Sequence, residues 1–427
     1  MKSLTLQPIA ALAGEIHLPG SKSISNRALL LAAMAEGTTQ LINLLDSDDT
    51  RVMLAALSQL GIEISDEADA KLIDGVAGPL VLKARTEALH LGLAGTALRP
   101  LAAALTLGRG TFQLDGTARM RERPVAHLVD GLRQLGAQVA FLGEDGYPPI
   151  EVTGTGLAGG TIEMQGNISS QFLTSLLLAA PLANGPVTID IIGEQVSKPY
   201  LDITVDMMRR FGADAEHIDY QRFTVQPGRY RSPGRFLVEG DASTATYFLA
   251  AGAIAGNGVT VHGIGSSSVQ GDVAFVDVLR AMGAEVSVDA ESVRVTPGQQ
   301  QLNGVDLDLN HIPDAAMTAA VLALFAAGTT TIRNIYNWRV KETDRLDAMS
   351  RELRKLGAKV EEGHDYLEIS PPERWQSATI NTYDDHRMAM CFALCALGGA
   401  PVTINDPDCV SKTFPEFFRE FERLARS

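Results

Sequence analysis

The chain has 427 residues, of which 20% are charged and 45% apolar, with a formal net charge of −15 and three cysteines. That length exceeds one ordinary core, so two domains are expected. The acidic balance repels nucleic acid and anionic membrane at long range, so anionic ligands can bind only where cations cluster locally.

The chain opens on the alternating string LTLQPIA, without the basic and apolar regions of a secretory signal. No run of about 18 apolar residues follows, so no membrane span and no membrane partner are expected. Three cysteines cannot form a disulfide framework, and no His/Cys cluster has metal spacing. Cys391 and Cys395 read as buried thiols in a reducing cytoplasm.

The first predicted helix begins inside LPGSKSISNRALLLAA, residues 18–33, where Lys22 and Arg27 stand among small hydroxyl residues. Ser21 or Ser23 can cap it. The same helix start, with its basic side chains, also suits an anion. The apolar run then passes into EGTTQLINL, and this pattern recurs in GRGTFQLDG, NGPVTIDIIG, NGVTVHGIG, AGTTTIRNI and GGAPVTINDP. The anchoring glycines Gly37, Gly110, Gly185, Gly258, Gly328 and Gly399 are separated by 73, 75, 73, 70 and 71 residues. Between them LSQLGIEI, LRQLGAQV, MRRFGADA, LRAMGAEV and LRKLGAKV place Gly61, Gly136, Gly212, Gly283 and Gly357 at steps of 75, 76, 71 and 74. Each reads as a helix with a glycine C-cap and an outgoing strand. The chain is thus six copies of a unit with two helices and several short strands, the last copy truncated after FPEFFREFERLARS.

Such units are longer than ordinary stacked repeats, so two α/β domains of three units each are expected, with the Pro- and Gly-rich stretch VQPGRYRSPGRFLVEGD as the crossing between them. Counting back about 14 to 16 residues from each first-set glycine reaches the start of a helix. There stand Ser21, Lys22 and Ser23; Ala94, Gly95 and Thr96; Ser169, Ser170 and Gln171; Asp241, Ala242 and Ser243; Asp314 and Ala315; and Asp384, Asp385, His386 and Arg387. Serine and aspartate are routine caps, but capping does not explain Lys22, Gln171 or Arg387. The second helices add Arg123 before Pro124, which reads as a first helical residue, then Ser197, Lys198 and Tyr200. They also add Arg339, Lys341, Glu342, Asp344 and Arg345 within NWRVKETDRL, and finally Lys412. Equivalent helix starts in a pseudosymmetric array point to equivalent places, so an anion-binding cleft between the domains is expected.

LPGSKSISNRALLLAA, GTALRPLAAAL, RMRERP, SSQFLTSLLLAAPL, VSKPYLDIT, HIPDAAMT, IYNWRVKETDRL, YDDHRMAM and SKTFPEFF, in this order from about residue 3 to 420, together resemble the 5-enolpyruvylshikimate-3-phosphate synthases. The resemblance implies an α/β fold of two similar domains, each of three inverted βα repeat units. Residues 1–20 and 241–427 would form one domain and 21–240 the other, with the active site in the interdomain cleft. It implies transfer of the enolpyruvyl group of phosphoenolpyruvate to the 5-hydroxyl of shikimate 3-phosphate with release of phosphate, in aromatic amino-acid biosynthesis. No metal or organic cofactor is implied. The expected partners are the two small substrates and the inhibitor glyphosate, which takes the phosphoenolpyruvate site in this family; a cytoplasmic monomer is expected, without nucleic acid.

By the same resemblance Lys22, Asp314 and Glu342 handle protons, with Asp314 the base for the hydroxyl; whether Lys22 or Glu342 protonates carbon stays open. Lys22, Gly95, Arg123, Gln171, Arg345, Arg387 and Lys412 would surround phosphoenolpyruvate. Lys22, Ser23, Arg27, Ser169, Ser170, Gln171, Ser197, Tyr200, Asp314, Asn337 and Lys341 would hold shikimate 3-phosphate. A glycine at 95 suits close approach, since a Cβ would occupy ligand space. One departure stands out: the family reads GNAGT where this chain reads GLAGT, so Leu93 replaces an asparagine. Three rivals remain: UDP-N-acetylglucosamine enolpyruvyl transferase, whose characteristic cysteine near DGTARMRERP is absent here; RNA 3'-phosphate cyclase, on a related repeat; and a non-catalytic repeat scaffold.

Overall fold

The computed structural model describes residues 2–81 and 86–425, with the side chains of 86 and 87 left aside. Its contacts divide the chain into two units, Gly20–Val238 and Met1–Pro19 with Glu239–Ser427. Among the described residues no helix is long and apolar enough to cross a membrane.

The repeat is plainest in its second copy. Strand Thr86–His90 leads into helix Gly95–Thr106 and a parallel strand, Gly110–Asp115. Helix Ala126–Gln134 then returns to an antiparallel hairpin, Gln138–Phe141 with Ile150–Gly154. The sheet therefore carries one parallel and two antiparallel pairings, and Ile150–Gly154 lies against Gly110–Asp115. Gly160–Gln165, Val187–Ile192, Arg222–Val225 and Ala215–Ile218 repeat this order in the third copy. In the unit of Met1–Pro19 and Glu239–Ser427, Asp306–Asp308, Thr330–Arg333, Leu367–Ser370 and Lys359–Glu362 do the same.

Two strands are exchanged. The first-copy strand Glu36–Ile42 takes as its parallel neighbour Arg235–Leu237, while Gly258–His262 takes Ala13–His17. The expected crossing stretch is therefore not a loose tether: it supplies a strand, and Tyr230 within it is buried with its hydroxyl donating to the Leu178 carbonyl at 2.9 Å. Among the described residues the sixth copy has no hairpin of its own. Ser3–Leu6 pairs antiparallel with Val402–Asn405 in its place, beside the parallel Ala378–Ile380.

The second-set glycines behave as the spacing predicts. Gly61, Gly136, Gly212, Gly283 and Gly357 have φ of +86°, +90°, +82°, +97° and +97°, each just past a helix end, where a Cβ would be strained. The first helix of each copy is buried on nearly every side: Lys22–Met34 and Ala242–Ile254 each bury twelve of thirteen residues. With no solvated face, such helices hold their polar groups at the ends.

Candidate active site

In the unit Gly20–Val238 the site residues gather around the starts of the three inner helices. Ser21 occupies the first N-cap but makes no side-chain capping bond, so the expected capping role is not realised. Lys22, buried in the first turn, instead lies with Nζ 3.6 Å from Asp49 Oδ2. Thr96 donates to that carboxylate at 3.3 Å and accepts from Asn26 Nδ2 at 2.7 Å. Arg27, one turn on, donates Nη1 to the Ser23 carbonyl at 2.8 Å and Nε to Thr204 Oγ1 at 2.9 Å, with Nη2 3.3 Å from Thr174 Oγ1 and 3.4 Å from the Tyr200 carbonyl. Burial pushes its guanidinium down to about 10, against the pull of Tyr200, and it stays cationic at neutral pH.

The second inner helix explains the glycine at 95. A Cβ there would stand 2.8 Å from Arg99 Nη1 and 3.1 Å from Arg123 Nη2, so the space a glycine leaves is taken by two guanidinium groups. Both arginines are buried. Arg99 donates to Gln171 Oε1 and to the Pro124 carbonyl, and lies over the Phe172 ring with 5.2 Å to its centroid. Arg123 donates to the Leu93 carbonyl at 3.3 Å. Pro124 lies before the helix, which begins at Ala126, and so is not its first residue. Ser169 caps the third helix through Gln171 N at 3.3 Å, with Ser170 buried behind it. Ser197 is buried with φ +54°, and Pro199 opens its helix beside Tyr200. Lys22, Arg27, Arg99 and Arg123 are thus four buried cations of one unit, Lys22 lying beside Asp49, a grouping that suits anions.

The unit of Met1–Pro19 and Glu239–Ser427 holds a different arrangement, with carboxylates threaded through the cations. Arg345, 1% exposed, donates Nε to Asp385 Oδ2 at 2.7 Å, Nη1 to Asp314 Oδ1 at 2.8 Å and Nη2 to Glu342 Oε2 at 3.0 Å. Arg387 donates Nη2 to Asp314 Oδ2 at 2.9 Å and Nη1 to the Tyr247 hydroxyl at 3.0 Å. Lys341 Nζ is 3.6 Å from Asp314 Oδ1, and Lys412 Nζ is 3.4 Å from Glu342 Oε1. Asn337 is buried in the Tyr336–Val340 turn just before Lys341. Asp385 caps helix His386–Ala393 through the Arg387 N–H at 3.0 Å.

Burial disfavours charge on Asp314, but Arg387, Lys341 and Arg345 outweigh it and hold its carboxyl well below the usual range. Burial likewise opposes charge on Arg345, and Asp385, Glu342 and Asp314 overcome it and raise its pKa. Asp314 is therefore ionised at neutral pH, an acceptor held among three cations. Cys391 is a buried thiol pushed up to about 12 by burial, which removes it as a nucleophile at neutral pH.

The structure thus brings Lys22, Ser23, Arg27, Gly95, Arg123, Ser169, Ser170, Gln171, Ser197 and Tyr200 together in one unit, and Asp314, Asn337, Lys341, Glu342, Arg345, Arg387 and Lys412 in the other. Sequence reasoning missed Asp49, Arg99 and Tyr247, and took Asp385 only for a cap. Arg99 follows Gly95 by four residues and so shares its helix face, a signal that was present.

Six small mixed sheets in this topology define an α/β enolpyruvyl transferase fold. The EPSP synthase of Acinetobacter baumannii superposes with a TM-score of 0.84 at 26% identity over 99% of this chain and 98% of that one. The enolpyruvyl transferase NikO of Streptomyces tendae, at 21% identity and TM-score 0.80 over 98% and 96% of the two chains, shares the fold. The sequence profile of EPSP synthase (3-phosphoshikimate 1-carboxyvinyltransferase) matches residues 6–421. The 3-phosphoshikimate 1-carboxyvinyltransferases of Shewanella denitrificans and Photobacterium damsela subsp. piscicida are 58% and 59% identical over the full length of both chains. The chain belongs to the EPSP synthase family and is a transferase of the shikimate pathway of aromatic amino-acid biosynthesis. A match of this extent sets aside the rival readings.

Proposed function

We propose that both groups of residues serve one addition–elimination reaction between phosphoenolpyruvate and shikimate 3-phosphate. In the addition, the 5-hydroxyl oxygen bonds to C2 of phosphoenolpyruvate, its proton goes to Asp314, and C3 takes a proton to become a methyl group. In the elimination, the C2–O bond to phosphate breaks and the methyl group returns a proton, leaving the enol ether and inorganic phosphate. The observation that carries this reading is Asp314 itself, a carboxylate held by Arg345 and Arg387 at 2.8 and 2.9 Å, with Lys341 beside it. Glu342, between Arg345 and Lys412, and Lys22 are the groups for the carbon proton.

Lys22, Gly95, Arg123, Gln171, Arg345, Arg387 and Lys412 are assigned to phosphoenolpyruvate. Lys22, Ser23, Arg27, Ser169, Ser170, Gln171, Ser197, Tyr200, Asp314, Asn337 and Lys341 are assigned to shikimate 3-phosphate. Bidentate arginines suit the carboxylate and phosphate of the former, while hydroxyls, amide groups and lysines suit the ring substituents and phosphate of the latter. Glyphosate competing with phosphoenolpyruvate, a monomeric state and a cytoplasmic setting complete the proposal, the last in keeping with three free thiols.

The test is phosphate release that requires both substrates together, followed in Asp314→Ala and Glu342→Ala. Each substitution is expected to lower turnover by about 100-fold or more, the ordinary effect of removing a general acid or base. Near-normal turnover in a folded variant would remove that residue from the proton-transfer steps.

A further inference from the structure

Helix Arg345–Lys355 carries a second charged group that the chemistry above does not use. Two turns beyond Arg345, Glu352 is fully buried, a place a carboxylate takes when its lone pairs are met. Its Oε1 accepts the Tyr383 hydroxyl at 2.6 Å; its Oε2 accepts the Lys355 ammonium at 2.6 Å and the Asn381 backbone N–H at 3.1 Å. Lys355 in turn donates to the Thr379 carbonyl at 3.0 Å. One carboxylate therefore gathers the segment from 379 to 383 onto the helix.

That segment makes an unusual turn. Tyr383 and Asp384 have φ of 55° and 56°, a left-handed conformation that non-glycine residues keep only where their surroundings hold them. The next residue is Asp385, which accepts from Arg345 and caps the helix bearing Arg387. The helix that begins at Arg345 is thus tied to this turn at both of its ends, once through Asp385 and once through Glu352. Burial, and then the bond to Glu352, push the Tyr383 phenol up to about 12, so it remains a donor across the working pH range.

We propose that Glu352 is a positioning residue for the anion-binding arginines: by clamping Tyr383 and Asn381 it fixes the turn that aims Asp385 and Arg387. The inference rests on the reading that Arg387 holds phosphoenolpyruvate. A loosened Arg387 weakens the hold on phosphoenolpyruvate in ground state and transition state alike, so KM for phosphoenolpyruvate rises, and kcat moves only as far as the Arg387–Asp314 bond is disturbed.

The experiment is steady-state kinetics on the full-length enzyme carrying Glu352→Gln, Tyr383→Phe, Arg387→Lys, and each clamp variant combined with Arg387→Lys. Loss of a charge-assisted bond in Glu352→Gln is expected to raise KM for phosphoenolpyruvate about 10-fold, and Tyr383→Phe about 3-fold. In the Arg387→Lys background both effects are expected to shrink to less than about 2-fold, because the clamp acts through that arginine. Unchanged KM in both clamp variants would overturn the proposal, as would full additivity with Arg387→Lys. Arg387→Lys without effect on KM would overturn the reading of Arg387 itself, and the clamp's function with it. If Glu352→Gln does not fold, Tyr383→Phe, which removes one oxygen from a half-buried ring, decides by the same comparison.

Discussion

At position 93 the backbone and the side chain have separate duties. The carbonyl of Leu93 accepts from Arg123 at 3.3 Å, a contact that any residue preserves. The leucine side chain, however, cannot provide the amide of the asparagine expected from the family pattern, at a position that the proposed function sets beside phosphoenolpyruvate. A lost neutral hydrogen bond corresponds to about 2- to 12-fold in affinity, so glyphosate is expected to inhibit the parent more weakly than Leu93→Asn by that factor. The Michaelis constant for phosphoenolpyruvate is expected to change less, and equal inhibition constants would mean that the side chain points away from the ligand. Asp272 offers a second test. Buried, and accepting from the Ser243 hydroxyl, it is pushed up to about 6 by burial and then by the charge of Asp314. Because this exceeds the value of about 3.9 in an unfolded chain, the folded state retains a proton that the unfolded state has released. The associated stability is present below pH ~4 and is lost as pH rises through ~6. Asp272→Asn, neutral throughout, is expected to be more stable than the parent by about 1 to 3 kcal/mol at pH 8, with no difference near pH 4. Urea unfolding at both pH values checks this; a difference independent of pH would show that the carboxylate is charged and compensated.

The inner helices are where one element meets its repeats. In the unit of Met1–Pro19 and Glu239–Ser427, Ala242–Ile254, Ala316–Leu322 and His386–Ala393 are joined by a chain of buried groups: Thr246 Oγ1 to Thr318 Oγ1 at 2.8 Å, and Thr318 Oγ1 to Cys391 Sγ at 3.7 Å. Thr246 also donates to the Ser243 carbonyl at 2.6 Å, so it keeps a partner when Thr318 is changed. Thr318→Val is therefore expected to cost about 1 kcal/mol, the net worth of one bond, measured by denaturant unfolding. No loss would exclude the hydroxyl chain as a packing device. These helices were also the part of the fold most open to sequence reading. An apolar run with no polar face, a polar start and a glycine at a fixed distance identify each one locally; the second helix of each of the first five copies was as open, its closing glycine taking the left-handed backbone that a helix stop requires. Arg99 shared a helix face with Gly95, but its burial and that of Asp49 were not legible, because a charge within a helix or in its first turn ordinarily faces solvent. Here the packing of other elements buries both, and the burial is non-local. Strand exchange could not be read from the strings themselves, since neither Ala13–His17 nor Arg235–Leu237 names its partner; the family resemblance alone set the first 20 residues with the C-terminal half, and the partner of Arg235–Leu237 was missed.

Across the whole molecule the two units differ in how they are assembled from the chain. Residues 20–238 contain every strand of their three sheets. By contrast, two of the three sheets built from 239–427 take a strand from the first 17 residues, and Leu6, Leu12 and Ile16 enter that core. A fragment of 20–238 is therefore expected to unfold cooperatively on its own, whereas 239–427 is expected to do so only when residues 1–19 are supplied. Circular dichroism melts of the fragments, with and without a peptide of residues 1–19, make the comparison. A cooperative melt of 239–427 alone would show that the two N-terminal strands are dispensable to the core.

The pairing of Ser3–Leu6 with Val402–Asn405 also sets an order of events on the ribosome. Ser3–Leu6 leaves the exit tunnel about 400 residues ahead of Val402–Asn405, a wait of about 20 to 80 s at ordinary rates of synthesis. During that interval the contiguous unit can fold and leave the tunnel, while LTLQPIA remains an unpaired strand edge open to other chains. The nascent chain thus carries an aggregation hazard at Ser3–Leu6 until Val402–Asn405 emerges to cover it.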